Sequence, residues 1–385
     1  MKTERTNLTG FDSQPQPRDH ETVEKSTIKS TSGLYHFEPE PVVILTSALR
    51  NNPMSGITFF RFLRLLFVKK YSIDWWRYAH RLLALLLMSI FNTFLSLMEA
   101  IYVHVILRSN PRTRRLIEQA NNDSQAPVFI IGHPRTGTTL LHSLLALDEE
   151  RFSFCDTFMA GFPHCFLSFE RIGKFLFSGI LSETRPMDNM KLHFDLPQED
   201  ELAVNLLSGF LVSPYSSISF MRDEKTYRKY QCFRDHDTSA QDVAKWCKWF
   251  LFLLNKIKVR DLLIKSSASL SSSSSSVYAP RRVLLKSPCH TGRARLLLKL
   301  FPDAKFVFIH RNPYEVFLSG AHMASTTYGY WFLQQPHDEG LQEYILSQGE
   351  ILHNEYFSCW DDGILHEKNC AEISFEALTK DPMGS

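Results

Sequence analysis

The stretch "VFIIGHPRTGTTLLHSLL", residues 128 to 145, limits what this chain can fold into more than any other. A continuous apolar run, a loop bounded by Gly132 and Gly137 and a leucine-rich segment read as buried strand, tight turn and helix start. The two glycines bracket four residues, the G-x-x-x-x-G spacing of a phosphate-cradling loop. Glycine permits the turn and the close backbone approach that aims successive N–H groups at an anion. The helix that follows adds its partial positive N-terminus. Pro134, Arg135, Thr136, Gly137, Thr138 and Thr139 form the candidate cradle. An ATP-binding loop would carry lysine at 138 and a magnesium-holding carboxylate after a neighbouring strand. Position 138 is threonine, and the apolar runs at 283 and 305 end in Lys286 and in His310-Arg311. The expectation is a loop that binds its anion without a metal, with Arg135 as the fixed charge.

From Pro127 onward, short apolar runs alternate with helical patterns. "VFII", "VLL" at 283 to 285, "KFVFI" at 305 to 309 and "AEISF" near 371 to 375 are the strand candidates. Such runs between helices predict an α/β fold, a P-loop-like parallel sheet flanked by helices. Residues 150 to 264, rich in aromatics, read as a mostly helical insertion over the carboxyl edge of the sheet, where open α/β sheets bind ligands. The Ser-rich span 266 to 276 reads as a loop without chemistry. A hydrophobic content of 44% can fill a large core, and a net charge of +2 gives no general argument for nucleic acid. The seven cysteines show no C-x-x-C pair and no metal-ligand spacing, so no metal site is expected and the thiols are read as free, or as holding a disulfide if the domain faces a lumen.

Ahead of the sheet, residues 1 to 35 are polar and aperiodic, which predicts disorder, and no secretory signal is visible there. Residues 36 to 110 form an amphipathic and apolar helical segment. Its run from Leu82 to Met98 has no charge and falls slightly short of a bilayer span unless it continues through Glu99. A carboxylate in a bilayer is costly, so two readings stand: membrane association, or a long helix packed on the catalytic domain. Arginines flank the run on both sides and do not orient it.

A second anion motif lies downstream. Arg311 follows a strand, Pro313 is placed to begin a helix, and Ser319 lies eight residues on from the arginine. A guanidinium fork and a hydroxyl suit a phosphate. Together, "GHPRTGTTLLHSLL", "VLLKSPCH", "FPDAKFVFIHRNPYEVFLSG" and "LPQEDELAVN" resemble sulfotransferases that use 3′-phosphoadenosine 5′-phosphosulfate (PAPS). The likeness is to the branch found in bacteria and many single-celled eukaryotes, and it spans roughly residues 126 to 382, within a domain drawn as 126 to 385. It implies that the loop holds the 5′-phosphosulfate and that Arg311 and Ser319 hold the 3′-phosphate. It also implies further C-terminal helix beyond "FEALTKDPMGS", as though the chain were truncated there.

Sulfuryl transfer to an alcohol needs a cation at the leaving oxygen and a base for the acceptor. Lys286 is the natural second cation beside Arg135, and the resemblance supports it. For the base, two readings stay open. His290 lies four residues after Lys286, whereas cytosolic sulfotransferases have their histidine two residues after the matching lysine, where Pro288 stands here. The alternative is a glutamate of the cluster Glu199, Asp200, Glu201, in the first turn of a helix starting after Pro197. His133 and His142 are expected to be structural or to lie beside the cofactor. The acceptor is expected to be a small-molecule, lipid or carbohydrate hydroxyl (an amine less so), and the aromatic-rich insertion reads either as core or as an apolar pocket for it. A membrane location, Golgi or ER, is expected, with a cytoplasmic one as the alternative. The rival to an enzyme is a membrane-associated nucleotide- or anion-binding protein without turnover.

Overall fold

The computed structural model describes residues 48–234, 236–268 and 279–382. The disorder expected for residues 1 to 35 therefore falls outside the described residues. Five strands form one sheet: β1 (Val128–Ile131), β2 (Phe152–Phe154), β3 (Arg282–Lys286), β4 (Lys305–His310) and β5 (Cys370–Ser374). Their order is β2-β3-β1-β4-β5, and every neighbouring pair is parallel. β1 is central and all four of its residues are buried. That is why it reads as an unbroken apolar run, because a parallel strand covered by helices on both faces has no polar side.

The α-helices of six residues or more among the described residues are α1 (Phe59–Val68), α2 (Ala79–Ile101), α3 (Pro111–Asn122), α4 (Thr138–Leu145), α5 (Phe166–Leu176), α6 (Asp200–Ser208), α7 (Ala240–Ala268), α8 (Ala294–Leu300), α9 (Pro313–Thr327), α10 (Asp338–Asp361) and α11 (Phe375–Lys380). A π-helical turn, Tyr102–Leu107, continues α2. α9 begins as its sequence predicts: Pro313 sits in the first turn and Asn312 caps it, its side chain accepting from the Tyr314 N–H. The core under the sheet is aromatic. Phe129 of β1 stacks between Phe306 of β4 at 5.4 Å and Phe250 of α7 at 6.4 Å, and Trp246 continues the stack at 4.7 Å from Phe250.

Two boundaries differ from those expected. The span 150 to 264 is mostly helical but contains β2, an edge strand with only Ser153 buried. The Ser-rich loop does not start at 266, because α7 runs through Ala268 and keeps Ser266 buried; residues 269–278 lie outside the description. The described part of the 36–110 segment packs on the body, as the second of its two readings has it. Met54, Phe62, Leu65, Leu82, Leu85 and Leu95 belong to the same buried cluster as Phe129 and Trp246.

α2 packs on the catalytic body through one polar-studded face. Asn92 Nδ2 donates to the carbonyls of Ser55 and Ile57 at 2.6 and 3.1 Å. Glu99 accepts from the N–H groups of Leu167 and Ser168, at the start of α5, at 2.7 and 3.2 Å, and it pairs with Lys256 of α7. The carboxylate that argued against a membrane span thus has its partners in the protein.

Candidate active site

The three central strands end on one edge, and each delivers a candidate group there. β1 runs into the loop 132–137. Gly132 has φ 150, and a Cβ on it would meet the Ile309 carbonyl oxygen of β4 at 2.5 Å, so only glycine fits. The loop is pinned from both sides. The Gly132 N–H donates to Thr291 Oγ1 at 2.8 Å, and the hydroxyl of Thr136 donates to the His133 carbonyl at 2.8 Å. Gly137, with φ 99, turns the chain into α4, whose first-turn N–H groups have no partners within the helix.

Arg135 also takes a left-handed conformation, φ 74, unusual for a residue with a side chain. Its Nε donates to Ser319 Oγ of α9 at 2.9 Å and its Nη1 to Asp188 Oδ2 at 3.0 Å. Two candidates that are 184 residues apart therefore touch. Arg185 reaches the same Asp188 oxygen at 3.4 Å, so two guanidinium groups gather on one carboxylate. Arg311 is held differently. It pairs with Glu315 one turn on, at 2.7 Å, and stacks over the Phe375 ring at 4.4 Å. Phe375 fills the space that a Cβ on Gly137 would need, which places it between the loop and Arg311.

The acidic cluster divides. α6 starts at Asp200, with Glu199 as its N-cap. Glu199 Oε1 accepts from Lys286 Nζ at 2.8 Å, and its other oxygen accepts from the Tyr215 hydroxyl at 2.5 Å. Lys286 is buried, and its Nζ also lies 3.4 Å from Thr139 Oγ1. Burial lowers the lysine's pKa, with Glu199 opposing the shift. Burial, then the Glu199 charge, pushes the Tyr215 phenol well above its usual range, so it stays a donor. Asp200 turns into the core, where His290 Nε2 lies 2.7 Å from one oxygen and Ser287 donates to the other at 3.1 Å. Glu201 is fully buried, with Arg293 on both oxygens at 2.6 and 3.1 Å, Ser213 at 2.6 Å and Trp246 Nε1 at 3.0 Å.

Beneath the loop lies a cavity of about 240 Å³. Pro134, Arg135, Thr138, Thr139, Glu199 and Tyr215 line its polar end, and Phe162, Ile180, Leu181, Phe194, Ile218 and Trp331 are among its apolar walls. Glu201 and His290 do not line it. The structure thus brings two bonded groups to one cavity, Arg135 with Ser319 and Lys286 with Thr139 and Glu199; it leaves Glu201 and His290 inside the body and Arg311 against Glu315. Tyr215, Arg185 and Asp188 also belong to these groups, Phe375 stands between the loop and Arg311, and sequence reading missed all four. No spacing rule marks them, because the insertion and the end of β5 return to the loop only in the folded chain.

Residues 127–385 match the model of the sulfotransferase family. The omega-hydroxy-beta-dihydromenaquinone-9 sulfotransferases Stf3 of Mycobacterium bovis and Mycobacterium tuberculosis are each 32% identical over 333 residues, 86% of this chain and 75% of theirs. The chain belongs to the sulfotransferase family. Among solved structures, the sulfotransferase STF1 of Mycobacterium tuberculosis H37Rv aligns with a TM-score of 0.48 at 17% identity, over 78% of this chain and 74% of that one. STF9 of Mycobacterium avium aligns with 0.46 at 18%, over 75% and 67%. The protein is an enzyme, a sulfotransferase, and the bare anion-binding reading falls away.

Two histidines near the loop tie the stability of this sulfotransferase to pH. Burial pushes His133 down to about 4 and His142 to about 3, with Lys286 adding repulsion at His142. Both folded values lie below the ordinary 6.5, so the unfolded chain takes up protons first. Stability is then lost as pH falls from about 6.5 toward 4, by about 1.4 kcal/mol per pH unit for each histidine. Asp200 acts in the same direction at lower pH: burial raises its pKa, but His290 and two hydrogen bonds outweigh that and hold it down. Unfolding free energies from urea titrations at about pH 7 and pH 5 should differ by several kcal/mol. A flat profile would mean that neither imidazole is buried in its neutral form.

Proposed function

We propose that this sulfotransferase moves the sulfuryl group of PAPS to the hydroxyl of a lipid-like alcohol held in the cavity, with Glu199 as the base. The observation that carries this reading is the Lys286–Glu199–Tyr215 chain at the cavity's polar end. Glu199 is the one carboxylate of the acidic cluster that faces the cavity, and it sits next to the cation that the leaving oxygen would need. The donor set suits a phosphosulfate: loop N–H groups, the hydroxyls of Thr138 and Thr139, and the cations Arg135 and Lys286. Arg311 and Ser319 are assigned to the 3′-phosphate.

In the reaction, Glu199 accepts the proton of the acceptor hydroxyl as the acceptor oxygen bonds to sulfur. The bond between sulfur and the 5′-phosphate oxygen breaks, and its electron pair stays on that oxygen, which Lys286 and the loop stabilise. In-line transfer of this kind resembles phosphoryl transfer, with less charge to neutralise. Tyr215 keeps Glu199 aimed at the cavity. Glu201 and His290 are assigned to the fold.

Apolar walls around one polar end suit a hydrophobic alcohol better than a sugar. The curated relatives are named for an omega-hydroxylated dihydromenaquinone, which supports the same substrate class. A membrane association fits that acceptor. The mycobacterial relatives, from cells without Golgi or ER, lend that part of the expected location no support.

The test is calorimetric binding of 3′-phosphoadenosine 5′-phosphate against ADP. The reading expects clear preference for the 3′-phosphorylated nucleotide, falling about 10- to 100-fold in an Arg311→Ala, Ser319→Ala double variant, as lost charge-assisted hydrogen bonds would. A double variant that kept the full preference would remove these two residues from the 3′-phosphate site.

A further inference from the structure

The outer face of the N-terminal helices has no partner among the described residues. Along α2, Leu83, Leu87, Ile90, Phe94, Leu97 and Ile101 recur at steps of three and four, so they form one stripe, and each is 45% to 59% exposed. The opposite stripe holds Leu85, Asn92 and Glu99, buried against the body. α1 extends the apolar field with Phe60 and Phe67, 75% and 73% exposed, and α5 extends it with Phe175, 79% exposed. α5 lies directly beside α2, since Phe91 meets the rings of Phe169 and Phe177 at 6.5 and 6.1 Å. Soluble surfaces rarely keep so large a contiguous apolar field.

We propose that this face lies flat in the surface of an anionic phospholipid bilayer, and that the lipid alcohol passes from the leaflet into the cavity along the edge formed by residues 51–55 and 175–181. The proposal rests on the lipid-alcohol reading above. Three observations favour lipid over a protein partner. First, the field is bordered as a membrane interface is. Exposed Tyr71, Trp75 and Trp76 stand with exposed Lys70 and Arg77 ahead of α2, and exposed Arg108 and Arg115 follow it. Lys70 Nζ rides over the Tyr71 ring at 4.6 Å. Aromatic and basic belts at the rim suit headgroups and their negative charge.

Second, α2 cannot leave the body to cross a bilayer without breaking the Glu99–Lys256 pair and the Asn92 bonds. A helix long and apolar enough to span, but held along its length on one side, lies in the plane. Third, the face runs into the substrate site. α5 ends at Leu176, and Ile180 and Leu181 a few residues later are cavity walls. Asn51 donates its backbone N–H to the Ile180 carbonyl at 3.0 Å, and Asn51 to Pro53 and Ser55 line the same cavity. Asn92 of α2 holds Ser55 from the other side. An apolar tail could therefore move from lipid to cavity without crossing water.

The full chain is tested by flotation with phosphatidylcholine vesicles containing phosphatidylglycerol, beside a Leu87→Asp, Phe94→Asp variant. Both positions are exposed and lie outside the catalytic set, so the variant should fold and bind 3′-phosphoadenosine 5′-phosphate as the parent does. The parent is expected to float and to be released by alkaline carbonate, and the variant to bind vesicles at least about tenfold more weakly. Turnover of a vesicle-embedded long-chain alcohol should fall in step, while turnover of a short soluble alcohol stays unchanged. Three outcomes overturn the proposal: a parent that stays in the aqueous fraction, a parent that resists carbonate as a spanning protein does, or a parent dimer that the two aspartates dissociate. A parent that floats yet sulfates no lipid alcohol would sink the substrate reading while leaving the docking in place.

Discussion

Glu199→Gln is expected to lower kcat by about 10²- to 10⁴-fold, the usual contribution of a positioned general base. Binding of 3′-phosphoadenosine 5′-phosphate should stay within a few-fold, because the nucleotide's contacts are assigned to the loop, Lys286, Arg311 and Ser319 and not to Glu199. Glutamine keeps an oxygen for the Tyr215 hydroxyl, which donates to Glu199 at 2.5 Å, so the local packing survives and only proton acceptance is lost. The measurement is single-turnover transfer from labelled PAPS to a long-chain alcohol, with nucleotide affinity measured in parallel. Should Glu199→Gln turn over within about tenfold of the parent, the base lies elsewhere. His290 would then return as the candidate, despite sitting fully buried against Asp200.

Arg293→Met is expected to cost about 3–5 kcal/mol of stability, since it leaves the buried Glu201 carboxylate without its countercharge. Burial alone would lower the Arg293 pKa, but neighbouring Cys289 and Glu201 outweigh it and hold the guanidinium firmly charged. The pair also anchors the insertion: Arg293 Nη2 donates to the Tyr230 carbonyl at 2.6 Å, and Glu201 takes Trp246 and Ser213. Against a total stability of roughly 5–15 kcal/mol, such a loss is a large share. Replacing both partners, Glu201→Leu with Arg293→Met, should recover most of it, because no unpaired charge remains. Urea midpoints with an unchanged m-value would read this directly. A single Arg293→Met variant within about 1 kcal/mol of the parent would refute the structural assignment of the pair. The two experiments separate the carboxylates: loss at 201 should track the folded fraction, and loss at 199 should not.

The limits of sequence reading are visible in particular elements. β1, β3 and β4 were legible because strands buried on both faces are continuous apolar runs. β2 was not, since a three-residue edge strand with one buried side chain has no such pattern. α2 was recognised as apolar, but its two stripes differ in fate rather than in composition. Only the packed body shows that Leu85 faces protein and Leu87 faces outward.

At the site the division is sharper. The loop's conformation could be read from residues 128 to 145 alone, because what makes it is local: glycines that accept positive φ, a helix N-terminus one residue later, and an arginine within the turn. The choice among Glu199, Asp200 and Glu201 could not be made that way. Successive positions at a helix start point about 100° apart, so three adjacent carboxylates meet three different surroundings: Lys286 at the cavity, His290 in the core and Arg293 behind it. Those partners lie 87 to 92 residues away along the chain. Local chemistry in residues 128 to 145 is enough to dictate the central strand, the glycine turn and the helix start around which the chain folds. Which of the three acids faces the cavity depends on tertiary structure, because it is set by what the folded chain brings opposite each side chain.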